Sequence, residues 1–234
     1  MELKRIIVGL LALLVLQVAS EQPALSQHQL DEDAAFGFRT IDDRAVVATA
    51  HIWPTRNIPV CWENPQQRNL ADRQLVIRAV SETWERHSAV RFVQWGLCNP
   101  RSRGIRILIA DAGPRTLGLG SQLDRKPHGM LLNFTFANWK RDCRRPEARR
   151  QFCIRSIAVH EFGHALAFAH EQNRWDTPGE CAKLNLTQGS QGDLQLTRWD
   201  PESVMNYCTR PWVNNGELSA NDQFAVAEIY GDPE

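Results

Sequence analysis

Apolar residues along this 234-residue chain fall into three patterns. Behind Lys4 and Arg5 they run almost unbroken from Ile6 to Leu16 and end in Val18-Ala19-Ser20. A charged start, a short apolar core and small closing residues predict a secretory signal peptide over 1–20, cleaved after Ser20. A membrane span needs about 18–20 apolar residues, and no stretch of the chain reaches that. Further on, short runs predict strands: Ile58–Trp62, the alternating Val90–Trp95, the buried-strand pattern of Gly104–Ala110, and Met130–Phe136. Thr116–Leu123, punctuated by Gly118 and Gly120, reads as a weak edge strand. Helical spacing of Val76, Val80 and Trp84 predicts a helix from Asn69 or Asp72 to about His87. A second helix is expected from about Phe152 to Leu166. The last is capped by Ser219 and stopped by Gly231.

The order is strand, helix, strand, strand, edge strand, strand, helix. A helix crossing between the first two strands predicts a mostly parallel sheet. Residues 21–50 are polar, with acidic patches at 31–33 and 42–43, and read as an N-terminal extension or short pro-segment. The folded domain is expected over 51–234.

Composition narrows the setting. Lys plus Arg and Asp plus Glu are 27 each, so no overall field points to nucleic acid or to an anionic membrane. The basic runs Arg144-Arg145 and Arg149-Arg150 read as a solvated loop. All six cysteines follow the signal segment, which predicts disulfides in an exported chain. Sequence neighbourhood favours Cys61–Cys98, Cys143–Cys153 and Cys181–Cys208. With no CxxC pair among them, a cysteine-held zinc site is disfavoured.

The chemistry concentrates at His160-Glu161-Phe162-Gly163-His164. Histidines four apart on a helix point the same way and can share one zinc ion, and Glu161 is placed as a general base beside it. A catalytic zinc takes three protein ligands and keeps one position open for water. The third candidate, His170, would sit roughly 240° round and about 9 Å along a continuing helix, so the helix must end before it. Ala167 stands where a glycine would make that turn without penalty. At positive φ an alanine costs on the order of 1 kcal/mol.

Downstream lies Ser203-Val204-Met205-Asn206-Tyr207. Together with HExxHxxxxxH it resembles the metzincin zinc metallopeptidases, and His170-Glu171-Gln172-Asn173-Arg174-Trp175-Asp176 resembles the astacins and their bacterial relatives most. The resemblance covers 155–176 and 203–207, with departures at Ala167 and Thr177-Pro178. It implies an α+β, metzincin-like fold. A mostly parallel twisted sheet with two helices would form an N-terminal lobe. A loop-rich C-terminal lobe with one long helix would face it across a zinc cleft. It further implies zinc ligands His160, His164 and His170, one catalytic zinc ion, Glu161 as base, and a methionine floor at Met205. Tyr207 would stabilise the oxyanion, and Glu171 matches a residue that meets the new N-terminus after pro-segment removal.

The expected function is a secreted zinc-dependent endopeptidase. It would act as a monomer on protein or peptide substrates, with no nucleic acid partner and no stable membrane insertion. Two readings stand beside it. One is a non-catalytic zinc-binding adhesin or inhibitor on a peptidase fold, and the other is a zinc amidase acting on cell-wall peptides. Arg210 is a candidate for favouring an acidic substrate residue.

Overall fold

The computed structural model describes residues 46–182, 192–208 and 216–233. The expected signal peptide, most of the expected extension, and Arg210 lie outside them. In chain order the main elements are β1 (Val46–Val47), β2 (Asn57–Trp62), α1 (Leu70–Val80), β3 (Arg91–Leu97) and β4 (Ile105–Ile109). Then come β5 (Arg115–Thr116), β6 (Met130–Leu132), α2 (Glu147–Ala165), α3 (Gly179–Ala182), β7 (Leu194–Gln195) and α4 (Ala220–Tyr230). The main sheet has the order β3-β2-β4-β6-β5. Its first four strands run parallel, and β5 lies antiparallel to β6 at the edge. This is the mostly parallel α+β architecture that the element order predicts.

Strand and helix ends differ from the periodicity reading for local reasons. β6 stops at Leu132 because the buried Asn133 turns the chain. Its side-chain oxygen accepts from the Thr135 and Phe136 N–H groups, both at 2.9 Å, and Phe136 sits at φ +49°. The expected edge strand shrinks to Arg115–Thr116, extended by one bond from Leu117 N to Gly129 O. There the Gln122 side chain captures the Leu119 N–H at 2.9 Å, and Gly120 at φ +52° starts a 3-10 turn to Leu123. α2 begins five residues earlier than its apolar pattern, because its first turn is polar and exposed.

The two long helices meet through Trp84, which follows α1 in a wider π turn over Ser81–Glu85. Fully buried, it donates from Nε1 to the Val159 carbonyl at 2.8 Å and stacks on Phe168 with ring centres 5.5 Å apart. Val76 and Val80 lie buried on the same face of α1. α4 follows its sequence signals closely. The Ser219 hydroxyl accepts from Asp222 N at 3.0 Å, and Gly231 ends the helix at φ +90°. All three favoured cysteine pairs are disulfides.

β1 corrects the expected start of the folded domain. Val46 and Val47 are buried and pair with β7, so the fold includes residues before His51. Two adjacent valines are too short a run for periodicity to register. Their position matters: Ala169 N donates to Val46 O at 3.0 Å, and Ala48 N to Ala167 O at 2.9 Å. The strand therefore splints the segment that leads away from α2.

Candidate active site

α2 must end for His170 to reach the other two histidines, and the ending is a Schellman turn. The Phe168 N–H donates to Gly163 O and the Ala167 N–H to His164 O, both at 3.0 Å. Ala167 occupies the left-handed position at φ +72°. Its methyl group is fully buried against Gly120, where any side chain would come within 2.9 Å of it and overlap the His51 carbonyl. The strain expected from alanine is thus present, and packing plus the β1 splint oppose it.

Beyond the turn, His170 folds back onto its partners. Its Nε2 lies 3.3 Å from His160 Nε2 and 3.1 Å from His164 Nε2. Four ligands held tetrahedrally at the usual zinc–nitrogen distance stand about 3.3 Å apart, so the donor set fits one zinc ion. The outer ring nitrogens fix the inner ones: His160 Nδ1 faces Val204 O at 2.7 Å and His164 Nδ1 faces Phe168 O at 2.8 Å. With Nδ1 donating to a carbonyl, each Nε2 presents its lone pair inwards. Burial, with repulsion from His170, pushes the His160 imidazole down to about 3. Burial and its two histidine neighbours also hold His164 well below the usual range. All three are buried, and they form the metal-binding cluster among the described residues.

Glu161 stands beside the cluster, fully buried, with Oε2 free of any hydrogen bond among the described residues. Burial raises its carboxyl to about 8, opposed by the Arg115 guanidinium. A bound divalent cation would act in the same direction as Arg115 and favour the carboxylate. The Tyr207 hydroxyl lies 2.9 Å from His160 Nε2. Burial, then the nearness of Glu161, raises its phenol above the ordinary value, so it remains a donor. These groups open into a cleft of about 690 Å³ whose other wall is β5 and the residues after it, Arg115 to Leu119. Arg115 and Lys126 also line it. Sequence reasoning misses both, because no motif marks a residue that reaches the site from across the sheet.

Met205 is buried and packs on α2 at Gly163, the residue before His164. A side chain at Gly163 would overlap the Met205 sulfur and come within 3.0 Å of the Trp84 ring. The glycine of His160-Glu161-Phe162-Gly163-His164 is there for close approach, since its helical backbone needs no glycine. Asp222 holds the turn from below. It accepts from the Ser203 hydroxyl at 2.7 Å, Val204 N at 2.9 Å and Ser219 N at 3.1 Å, tying the turn to the start of α4. Glu171 is buried behind the site. Its Oε1 accepts from Asp200 N at 2.8 Å and lies 3.4 Å from Arg174 Nε. Burial raises its carboxyl to about 8 despite that arginine. Arg174 in turn forms a bidentate pair with Asp176 at 2.7 and 2.8 Å.

Known proteins share this fold. No family model matches the sequence. Myroilysin superposes with a TM-score of 0.57 at 20% identity, covering 81% of this chain and all of that one. A hatching-enzyme zinc-protease of the medaka fish Oryzias latipes, high choriolytic enzyme 1, gives 0.52 at 16% identity over 82% of this chain and all of its own. The fold is astacin-like. In sequence, the zinc metalloproteinase nas-15 of Caenorhabditis elegans is 28% identical over 111 residues. That match takes in 35% of this chain and 19% of the worm protein, so the chain spans a minor part of that relative's length. The astacin-like fold and the three-histidine donor set together support a single zinc ion.

Three outcomes follow from this geometry. In an ordinary helix interior, Gly163→Ala would stabilise by about 1 kcal/mol. Against Met205 and Trp84 the overlap costs about 1–3 kcal/mol, so urea unfolding should show net loss and zinc titration weaker binding. A stabilised variant would contradict the close packing. At Ala167, glycine relieves about 1 kcal/mol of strain and forfeits a similar amount of methyl burial and chain stiffness. Ala167→Gly should therefore stay within about 1 kcal/mol of the parent with unchanged zinc affinity, while the β-branched Ala167→Val should lose at least about 2 kcal/mol, at the upper end of strain costs. Equal behaviour of glycine and valine would mean that the turn is not left-handed in solution.

The third concerns pH. His160 is depressed in the fold, so the unfolded chain binds its proton first, and stability falls as pH drops below about 6.5 towards 3. Between about pH 7.5 and 5 the metal-free protein should lose about 2 kcal/mol from this group alone. Urea titration of chelator-treated protein and of His160→Gln would read it. The same acid loss in both would remove His160 as the cause.

Proposed function

We propose that the chain is a secreted zinc-dependent endopeptidase whose general base is Glu161. One observation carries the reading: Glu161, whose buried Oε2 has no hydrogen bond among the described residues, lines the same cleft as the three converging histidines and Tyr207. A structural zinc site closes its coordination shell with protein and has no use for a free carboxylate beside it. Bound by His160, His164 and His170, zinc would supply a water of lowered pKa and polarise a carbonyl. Glu161 takes the proton from the attacking water and passes it to the leaving amine. The Tyr207 O–H donates to the oxygen on which negative charge develops. Met205 supports the histidines from below, and Glu171 braces the segment after His170 through Asp200 and Arg174.

The substrate lies extended. β5 ends the sheet, so its outer side is open to an added strand, which would lead a peptide past the histidines. Arg115 and Lys126 on that wall favour acidic side chains near the scissile bond. Three disulfides suit an oxidising compartment, as the expected signal peptide over 1–20 does. No helix of the described residues is long and apolar enough to cross a membrane.

Digestion of a peptide library by the purified mature chain tests the reading, beside a chelated sample and the variants Glu161→Ala, Tyr207→Phe and Gly118→Pro. Cleavage should vanish with the metal and fall about 10²–10⁴-fold in Glu161→Ala. Tyr207→Phe should lower kcat by about 10²-fold with little change in KM. Gly118→Pro should chiefly raise KM, and cleaved sequences should be enriched in Asp and Glu. Undiminished cleavage by Glu161→Ala would refute the mechanism. Zinc binding without cleavage would favour the adhesin or inhibitor, and cleavage of cell-wall peptides alone would favour the amidase.

A further inference from the structure

The zinc cleft leaves one group of cations without a role. Between Lys140 and Arg155 the chain carries a dense run of arginines with only Asp142 and Glu147 against them, in a protein whose formal charge is zero. Several of these are paired. Arg150 contacts Asp72 at 2.8 Å and Glu147 at 2.7 Å, and Arg155 bridges Glu82 and Glu217. Arg149 reaches Asp142 at 3.7 Å. Arg144 and Arg145 make no side-chain contact with an acid among the described residues, and neither does Arg68, just before α1. These three are exposed, and they converge on a second crevice of about 610 Å³.

That crevice is not a random piece of surface. It is lined by Asn64 after β2, Ile109 to Asp111 at and beyond the end of β4, and Phe134 after β6. It thus lies beyond the carboxyl ends of three parallel strands, the place where open parallel sheets commonly take ligands. Its two carboxylates are already engaged. Asp72 pairs with Arg150, and Asp111 accepts from Asn133, Ala137 and Asn138 at 2.9–3.2 Å. Four arginines, Arg68, Arg144, Arg145 and Arg150, against these two carboxylates leave the concavity with an excess of positive charge, and an anion between the guanidinium groups reduces their mutual repulsion.

We propose that this crevice is a binding site for sulfate or phosphate ester groups carried on a larger ligand. A guanidinium offers paired donors that match two oxygens of either group, and three of them suit a multiply charged ester better than a single carboxylate. The site is distinct from the zinc cleft: Arg150 precedes His160 by ten residues on α2, about 15 Å along the axis. It does not depend on the peptidase reading.

Calorimetric titration of the zinc-loaded chain tests it. Sucrose octasulfate is the sulfate-ester probe and fructose 1,6-bisphosphate the phosphate-ester probe, with sodium chloride of matched ionic strength as reference. At least one ester should bind saturably, and whichever binds identifies the chemistry of the natural ligand. The triple variant Arg68→Ala, Arg144→Ala, Arg145→Ala should weaken that binding at least 30-fold and keep the parent's melting temperature. A variant losing Arg86 and Arg125, equal in lost charge to two of the three, should change it less than 3-fold. Zinc affinity should be unchanged with the crevice filled. Absence of saturable binding by both probes, or equal weakening by the two variants, would overturn the proposal.

Discussion

A straight helix can bring two histidines to one metal ion and cannot bring a third that lies six residues on. The site therefore depends on ending α2 within two residues of His164, and much of the surrounding structure serves that ending. Backbone bonds to Gly163 and His164 close the turn, and Ala167 takes the left-handed conformation that the closure demands. An alanine resists this geometry, and two features answer it. Gly120 leaves room for the methyl group, and β1 holds both sides of the turn through Ala167 and Ala169.

A second dependence runs through Gly163. Met205 can pack on α2 only because Gly163 has no side chain, and its turn is held in place by Asp222 at the start of α4. The last helix, remote in sequence from the histidines, thus fixes the turn whose Val204 carbonyl faces His160 Nδ1 at 2.7 Å. Trp84 supplies the lateral support, joining α1 to α2 at Val159 and stacking on Phe168 just past the turn. Removing any of these contacts acts on the zinc geometry through the backbone and turns that carry His160, His164 and His170.

The zinc helix, both ends of α4, the disulfide partners and the parallel sheet are legible in the amino-acid sequence, because each rests on local chemistry or regular spacing. Histidines at i and i+4, a serine cap and a glycine stop are all short-range signals. What stays hidden depends on contacts between distant segments. Val46 and Val47 are too few to show a period, yet their pairing with Leu194 and Gln195 makes them part of the fold. Gly163 and Gly120 look like interchangeable small residues until Met205 and Ala167 are set against them. Arg115 belongs to the cleft, and Arg144 and Arg145 to a crevice, only once the sheet brings them there. Charge runs say how many cations exist and nothing about which have partners.

The turn at Ala167 brings His170 Nε2 to 3.3 Å from His160 Nε2 and 3.1 Å from His164 Nε2, close enough for one zinc ion to take all three. Zinc K-edge absorption spectroscopy of the purified chain reads that ligand set. Three imidazole nitrogens are expected at about 2.0–2.1 Å, completed by oxygen ligands and no sulfur. In His170→Ala the imidazole count should fall to two. A parent spectrum with only two imidazoles, or one unchanged by His170→Ala, would contradict it.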